Sequence, residues 1–308
     1  MIVAMDLSSG SVHDVSYFEL SWSILSTIGL FTALLGIWAV LITRPSPLSY
    51  IPIVVSAACA AANGLCYFAY YSRHSVLDRM VGSAFADVFW LIQEAGLSFY
   101  SYQILSHTLR DRSQVTFLVI FWLLMLAILG LRLAILTTRL LDIQSPSEHP
   151  LQHRISYLHV GYFVTIALVE SWSSFFLIRL LHKARDLSPK ISSTRSVFRY
   201  LLRTTELRLA SLCAVGVTRA VTYSWQVTAQ SAVSVAGELD RFVYAIECLF
   251  PLVLIVDILS SKKYSALSST ESPQPRSPCL PQPPVRGHVR IPTSDSWPLQ
   301  RGWECGSP

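Results

Sequence analysis

The feature that most constrains the fold of this chain is the return of long apolar runs, separated by short charged patches. A helix that crosses a bilayer needs about 20 mostly apolar residues. Only 14% of the 308 residues are charged, against about 25% in soluble domains. The pattern predicts an all-α, polytopic membrane protein with seven transmembrane helices, bounded at Leu20–Ile42, Leu48–Tyr71, Val81–Tyr102, Val115–Leu136, Ile155–Leu181, Leu207–Gln230 and Arg241–Leu259.

The Lys and Arg residues of the loops predict the orientation, because cytoplasmic loops carry the excess of positive charge. One side of the membrane would carry eleven of them: Arg44, Arg110, Arg112, Lys183, Arg185, Lys190, Arg195, Arg199, Arg203, Lys262 and Lys263. The other side would carry four: Arg73, Arg79, Arg139 and Arg154. We therefore expect residues 1–19 outside, a seven-helix bundle over 20–259, and residues 260–308 as a disordered Pro- and Ser-rich cytoplasmic tail. The expected location is the endoplasmic reticulum or the plasma membrane.

Ionisable residues inside the predicted spans are the candidate functional residues, because charge in hydrocarbon is costly and usually paired or functional. Several of them recur with other polar or aromatic residues at steps of three and four, as in Asp87, Trp90, Glu94, Ser98 and Ser101, which places them on polar stripes facing the bundle interior. The stripes predict a polar cavity among the third, fifth, sixth and seventh spans. The ionisable residues are Asp87, Glu94, Arg132, Glu170, Arg219, Glu247 and Asp257, with Asp257 expected at the cytoplasmic interface.

Two interpretations of these buried charges stay open. They could be structural ion pairs, such as Arg219 with Glu94 or Glu170. They could instead form a ligand or catalytic pocket, because the acids outnumber the arginines and desolvation favours the neutral form of an unpaired carboxyl. A neutral carboxylic acid in an apolar pocket can donate a proton. Aromatic residues on the same spans would suit a hydrocarbon ligand, and their ring faces could stabilise a carbocation.

Several functional classes are not indicated. The chain has no GxSxG elbow, HExxH, P-loop or dinucleotide fingerprint. We expect no metal and no cofactor, and no nucleic-acid partner, because no basic stripe with interleaved aromatics is present. The expected partners are a hydrophobic isoprenoid or lipid-like small molecule and membrane lipids, while protein partners are not predicted.

One stretch resembles the fungal membrane-bound terpene cyclases of meroterpenoid pathways. Asp78-Arg79-Met80-Val81-Gly82 precedes a helix with Trp90 and Glu94, although Trp and Glu are adjacent in that family. The resemblance implies a metal-independent cyclase of lyase or isomerase type, which protonates a prenylated, membrane-soluble substrate. Glu94 or Asp87 would donate the proton, and Glu170 or Glu247 would be a second acid or base. The expected substrate-binding residues are Trp90, Arg219, Tyr223, Tyr244 and Trp172.

The last two spans resemble the fungal lipid-translocating exporter family. The matching residues are Arg219, Glu238, Phe242-Val243-Tyr244, Glu247 and Pro251, with the acid and the Pro a few residues later than in that family. This resemblance implies a lipid translocator as the first alternative to the cyclase. A heptahelical receptor is the second alternative, in which the basic loop between the fifth and sixth spans would meet a cytoplasmic partner.

Overall fold

A computed structural model of the chain describes residues 21–43, 45–71, 74–144, 150–187, 210–225 and 234–270. The regular secondary structure of these residues is helical throughout. We number the helices in chain order: α1 Ser21–Ile42, α2 Pro47–Tyr71, α3 Val76–Gly96, α4 Ser98–Thr108, α5 Asp111–Gln144, α6 Pro150–Leu187, α7 over 210–225, and α8 Val235–Thr270.

Five of these helices are long and apolar enough to cross a membrane: α1, α2, α5, α6 and α8. The prediction of an all-helical, polytopic membrane protein is therefore confirmed at this level. The helices α3 and α7 fall short of the same criterion within the described residues. Asp78, Arg79, Asp87 and Glu94 lower the apolar character of α3, and the described part of α7 is short.

The predicted third span, Val81–Tyr102, is divided between two helices that join at Leu97, whose backbone stays in the right-handed helical region. Helix α3 ends at Gly96 and α4 begins at Ser98, with Leu97 between them. The N–H of Tyr100 donates to the carbonyl of Leu97 at 3.1 Å, a one-turn contact that is tighter than the α-helical ladder. The interruption places a backbone irregularity beside Glu94.

Two other boundaries differ from the prediction. Helix α5 continues to Gln144 and contains Arg139, so the assignment of Arg139 to an outside loop is wrong. Its guanidinium is buried against α3 instead of facing solvent. Helix α8 continues to Thr270, past residue 260, where the tail was predicted to begin. The predictions for residues 1–19 and 271–308 lie outside the described residues.

The helices pack as two groups with separate apolar cores. The first group is α1, α2, α3 and α8, whose core contains Trp22, Cys59, Ala86 and Tyr244. The second group is α5, α6 and α7, whose core also draws on α4 and on Ala95 at the end of α3. A smaller cluster joins α2, the start of α4 and α8.

Within the first group, α1 and α2 approach each other closely. A Cβ added to Gly29 would lie 2.7 Å from the backbone nitrogen of Ala60, so only glycine fits there. Ser26 donates to the carbonyl of Ala60 at 2.7 Å. At the other end of α1, Lys262 of α8 donates to Thr43 Oγ1 at 3.0 Å. These contacts hold α1 against both α2 and α8.

Candidate functional site

A network of buried ion pairs joins the two helix groups. Each ion pair between two described residues has its acid on α3 or α8 and its arginine on α5 or α7. All of these side chains are buried. A buried charge is tolerated only when it is paired and hydrogen-bonded. The interface between the groups is therefore electrostatic as well as apolar, and we call it the charged seam.

At one end of the seam, two arginines share the carboxylate of Asp87. Its Oδ1 lies 2.7 Å from Arg139 Nη1 and 3.0 Å from Arg132 Nη2. Arg132 Nε also donates to the backbone carbonyl of Asp87 at 3.1 Å. The Arg132 guanidinium lies between the rings of Trp90 and Tyr162, 5.4 and 5.2 Å from their centroids. Among these described contacts, two guanidiniums therefore face one carboxylate.

At the other end, three carboxylates share one arginine. Arg219 Nη1 lies 2.8 Å from Glu94 Oε1 and 2.7 Å from Glu247 Oε2. Arg219 Nε lies 3.3 Å from Asp240 Oδ1. The guanidinium carbon sits 3.9 Å from the ring centroid of Phe163, within the range of a cation–π contact. This end therefore has an excess of negative charge.

Glu94 connects the two ends. Its Oε1 accepts from Arg219, and its Oε2 lies 3.6 Å from Arg132 Nη1. At that distance Oε2 forms an ion pair but accepts no hydrogen bond from any described residue. Glu94 is therefore the one carboxylate that the described arginines of both α5 and α7 contact.

A neutral hydrogen-bonded cluster supports the acid-rich end from the first helix group. Trp90 Nε1 donates to the hydroxyl of Tyr244 at 2.8 Å. That hydroxyl lies 3.1 Å from both Asn63 Oδ1 and Gln93 Oε1, and its single proton can be donated to one of them at a time. The Tyr244 ring is also 4.8 Å from the Arg219 guanidinium carbon. The cluster fixes α2, α3 and α8 relative to one another.

His159 orients Arg139 at the arginine-rich end. Its Nδ1 lies 2.8 Å from the carbonyl of Ile155, which can only accept, so Nδ1 carries the proton. Nε2 then accepts from Arg139 Nη2 at 3.4 Å. The imidazole stacks parallel to the ring of Tyr223 at 4.7 Å. His159 therefore holds Arg139 in place as it reaches Asp87.

A cavity of about 20 Å³ lies beside Arg219, and it has room for about one water molecule. On its α6 side lies Glu170, whose Oε1 accepts a hydrogen bond from Ser98 at the start of α4. The lining residues are Glu94, Leu97, Phe163, Ile166, Glu170, Leu212, Val215, Gly216, Arg219 and Glu247.

Two irregularities in the helices lie close in sequence to residues that line this cavity. Helix α3 gives way to α4 at Leu97, three residues after Glu94. In α8, Pro251 lies four residues after Glu247 and has no N–H to donate to the Glu247 carbonyl. Freed backbone polar groups inside a membrane protein are tolerated where protein or a cavity satisfies them. Each irregularity therefore lies within one turn of a carboxylate that lines the cavity, Glu94 or Glu247.

The structure brings together most of the site residues predicted from the sequence. Asp87, Glu94, Glu247 and Arg219 belong to one network, and the expected Arg219–Glu94 pair is present. Glu170 lines the cavity, and the described contacts of Arg219 include no pair with it. The catalytic roles assigned to these acids stay predictions.

The predicted aromatic residues separate into two sets. Trp90 and Tyr244 bond to each other and contact the arginines of the seam. Tyr223 stacks on His159, and Trp172 packs on Phe176 at 5.1 Å. Neither Tyr223 nor Trp172 is part of the cavity lining. Their predicted role as substrate-binding residues has no support from this geometry.

Sequence reasoning missed Asp240 and Arg139, although a signal for both was available. Three helices carry two like charges seven residues apart, which places each pair on one face about two turns apart. Asp240 belongs to such a pair with Glu247, and Arg139 to one with Arg132, as Asp87 does with Glu94. Arg241 was also missed, and its guanidinium carbon lies 3.7 Å from the ring centroid of Trp22.

The fold and the site define an all-helical integral membrane protein with a charge network buried between two helix groups. Within the described ranges, no three His, Cys, Asp or Glu side chains are arranged to hold a metal ion. No family model, no curated protein and no solved structure matches the chain.

Proposed function

We propose that the chain is a membrane translocator, which moves a lipid-like small molecule by opening and closing the charged seam. The observation that carries this proposal is the placement of the ion pairs. Those that join described residues all cross between the two helix groups, and apolar contacts of α3 and α4 also join the groups. In the proposed opening, the ion pairs and these interfacial contacts separate, while the contacts within each group stay in place.

Charged residues inside membrane segments mark pathways, because they face water-filled cavities or one another. When the two helix groups part, water can solvate the carboxylates and guanidiniums that had been paired. The open state then contains no charge that is both unpaired and unsolvated. Transporter sites also lie near the bilayer midplane at helices that are discontinuous there. The junction of α3 and α4 at Leu97 and the proline inside α8 are milder irregularities near the cavity, which the proposal assigns to the pathway.

The proposal includes seven crossings, with the N-terminus outside and the C-terminus in the cytoplasm. Helices α3 and α4 together would form the third crossing, and α7 would form part of the sixth. The acids of α3 meet arginines of α5 and α7 and are not directed at lipid, which reduces the cost of their polarity. Moving Arg139 from a loop into α5 lowers the outside count of Lys and Arg from four to three, so the orientation bias grows.

The resemblance to the lipid-translocating exporters gives independent support. Three residues that carry it, Arg219, Tyr244 and Glu247, meet at the acid-rich end of the seam. Glu238, which also carries it, begins α8 in the first turn. The shared residues therefore cluster at the place where the geometry suggests the pathway.

The test is a lipid translocation assay with the purified full-length chain in vesicles that carry a fluorescent lipid analogue in one leaflet. We expect transfer between leaflets above that of empty vesicles, reduced at least tenfold by Glu247→Gln. Gly130→Ala is the matched control, because a Cβ at Gly130 meets no atom within 4 Å and α5 stays intact. Equal transfer in vesicles with and without the protein would contradict the proposal.

The second candidate is the intramembrane terpene-type cyclase. The favouring observation is that Glu94 lines a cavity beside aromatic rings, with Phe163 and Tyr244 both facing the cationic group of Arg219. The same rings could stabilise a carbocation formed when a carboxylic acid protonates an alkene or epoxide. A cavity of about 20 Å³ holds a water molecule, so a prenylated substrate would require the seam to open.

Product analysis separates the two candidates. Microsomes that contain the chain would convert a prenylated epoxide into a cyclic product if the cyclase proposal holds, and Glu94→Gln would abolish conversion while the protein is still made. A translocator would return the substrate chemically unchanged. The receptor alternative depends on the loop between the fifth and sixth spans, most of which lies outside the described residues, and no described contact favours it.

A further inference from the structure

We propose that Glu94 and Glu247 together bind one proton, and that this proton is the coupling ion of the translocator. The inference rests on the proposed function, because it names the ion that would drive the opening of the same seam. The carboxyl groups involved come from α3 and α8, and they meet at a single guanidinium nitrogen of α7.

The two carboxyl groups are close enough to compete for one positive charge. Glu94 Oε1 and Glu247 Oε2 lie 2.8 and 2.7 Å from the same Nη1 of Arg219, so these oxygens are at most 5.5 Å apart. Asp240 draws on the same guanidinium through Nε. Like charges so close in a buried site favour a state in which one carboxyl is neutral.

The cavity offers the proton a carboxylate oxygen outside the described hydrogen bonds, and a route. Glu94 lines it, is buried, and has in Oε2 an atom that accepts no hydrogen bond from the described residues. Glu170 lines the α6 side of the same space. A single water in the cavity could accept the proton from one carboxyl and donate one to another, so that the number of protons is conserved.

The geometry favours a proton over a metal ion. The carboxyls of Glu94 and Glu247 point to Arg219, and no three acidic, His or Cys side chains among the described residues are arranged as metal ligands. The other charged groups near the pair are Asp240, Arg132 and Glu170. A guanidinium at the centre of the site would repel a metal ion but leaves a proton on a carboxyl oxygen undisturbed.

The experiment is infrared spectroscopy of the full-length chain in lipid nanodiscs, titrated over pH in sodium and in choline buffers. A neutral buried carboxylic acid has a carbonyl stretch that moves to lower frequency in D₂O. We expect this band at neutral pH in the wild-type protein, at equal intensity in both salts. Glu94→Gln and Glu247→Gln should each remove or displace it by pairing the remaining carboxylate fully with Arg219.

Asp240→Asn is the matched control, because Asp240 bonds the same arginine but does not line the cavity, so the band should remain. Absence of the band from the wild-type protein would overturn the inference, and that measurement does not depend on any variant folding. Loss of the band in Asp240→Asn alone, or on adding sodium, would overturn it as well. A band without lipid translocation would leave the proton site standing and would remove the proposed function.

Discussion

The two ends of the charged seam are both built from arginine–carboxylate pairs, but the ratio of arginines to carboxylates is opposite. At the Asp87 end, two arginines share one carboxylate, while at the Arg219 end three carboxylates share one arginine. The polar cavity we describe lies at the acid-rich end. In the proposed mechanism, the arginine-rich end keeps the interface closed and the acid-rich end binds the proton.

Replacing the shared arginine should have the largest effect. Arg219→Ala would remove the guanidinium that Glu94, Asp240 and Glu247 share and would leave these acids buried. We therefore expect a loss of about 3–5 kcal/mol in the free energy of unfolding. Thermal or detergent unfolding in nanodiscs measures it. Arg154→Ala is the control, because Arg154 is exposed and should change stability by less than about 0.5 kcal/mol. An equal loss of stability in both variants would show that the charged seam does not stabilise the protein.

Removing one acid from each end should sharpen the contrast. Asp87→Asn removes the carboxylate that Arg139 and Arg132 share, so we expect a loss of about 2–3 kcal/mol. Asp240→Asn leaves Arg219 with two carboxylates and should cost about 1 kcal/mol or less. The same unfolding measurement compares them. If Asp240→Asn costs as much as Asp87→Asn, the different ratio of arginines to carboxylates at the two ends has no effect on stability.

A smaller effect is expected from the neutral cluster that supports the acid-rich end. Tyr244→Phe removes a hydroxyl that accepts a hydrogen bond from Trp90 and donates one to Asn63 or Gln93. We expect the free energy of unfolding to fall by about 1–2 kcal/mol. The ring, and with it the contact to Arg219, is kept. Indole fluorescence should also shift, because the Trp90 N–H loses its acceptor. Unchanged stability and fluorescence would show that the cluster does not hold this end.

The smallest change is expected at Thr222. Its hydroxyl lies 3.3 Å from Asp240 Oδ1 and donates to the carbonyl of Arg219 at 3.0 Å. Thr222→Val keeps the side-chain shape and should cost about 0.5–1 kcal/mol, because Asp240 still accepts from Arg219. Thr218→Val on the same helix is the control, since Thr218 is more exposed and bonds only a carbonyl of its own helix among the described contacts. A larger loss in the control would indicate that helix propensity dominates.

Much of the fold could be predicted from hydropathy alone. The helices α1, α2, α5, α6 and α8 correspond to predicted spans, because their apolar runs are long and nearly free of charge. The break at Leu97 could not be predicted, since neither Gly96 nor Leu97 is a strong signal within an otherwise helical stretch. The extension of α5 past Leu136 was missed because Arg139 looked like a loop residue when its partner on α3 was unknown.

The candidate site was predicted in part, for a physical reason. Helical periodicity places Glu94, Arg219 and Glu247 on inward faces, so their convergence follows from the pattern. Periodicity does not say which acid meets which arginine, nor how much space remains between them. The expectation of a chamber for a bulky hydrocarbon came from counting aromatic residues, whereas packing leaves a space of about 20 Å³. Volume depends on three-dimensional contacts that no single helix encodes.

In the proposed seven-span arrangement, the pairing of α3 with α5 has a consequence for membrane insertion. Asp87 and its partner Arg132 are 45 residues apart in the chain. At about 5–20 residues per second, the ribosome makes the arginine roughly 2–9 s after the aspartate. During that interval the buried acids Asp87 and Glu94 of α3 would lack their arginines, and each would oppose entry into the bilayer by a few kcal/mol. We therefore expect α3 to enter the lipid together with α5.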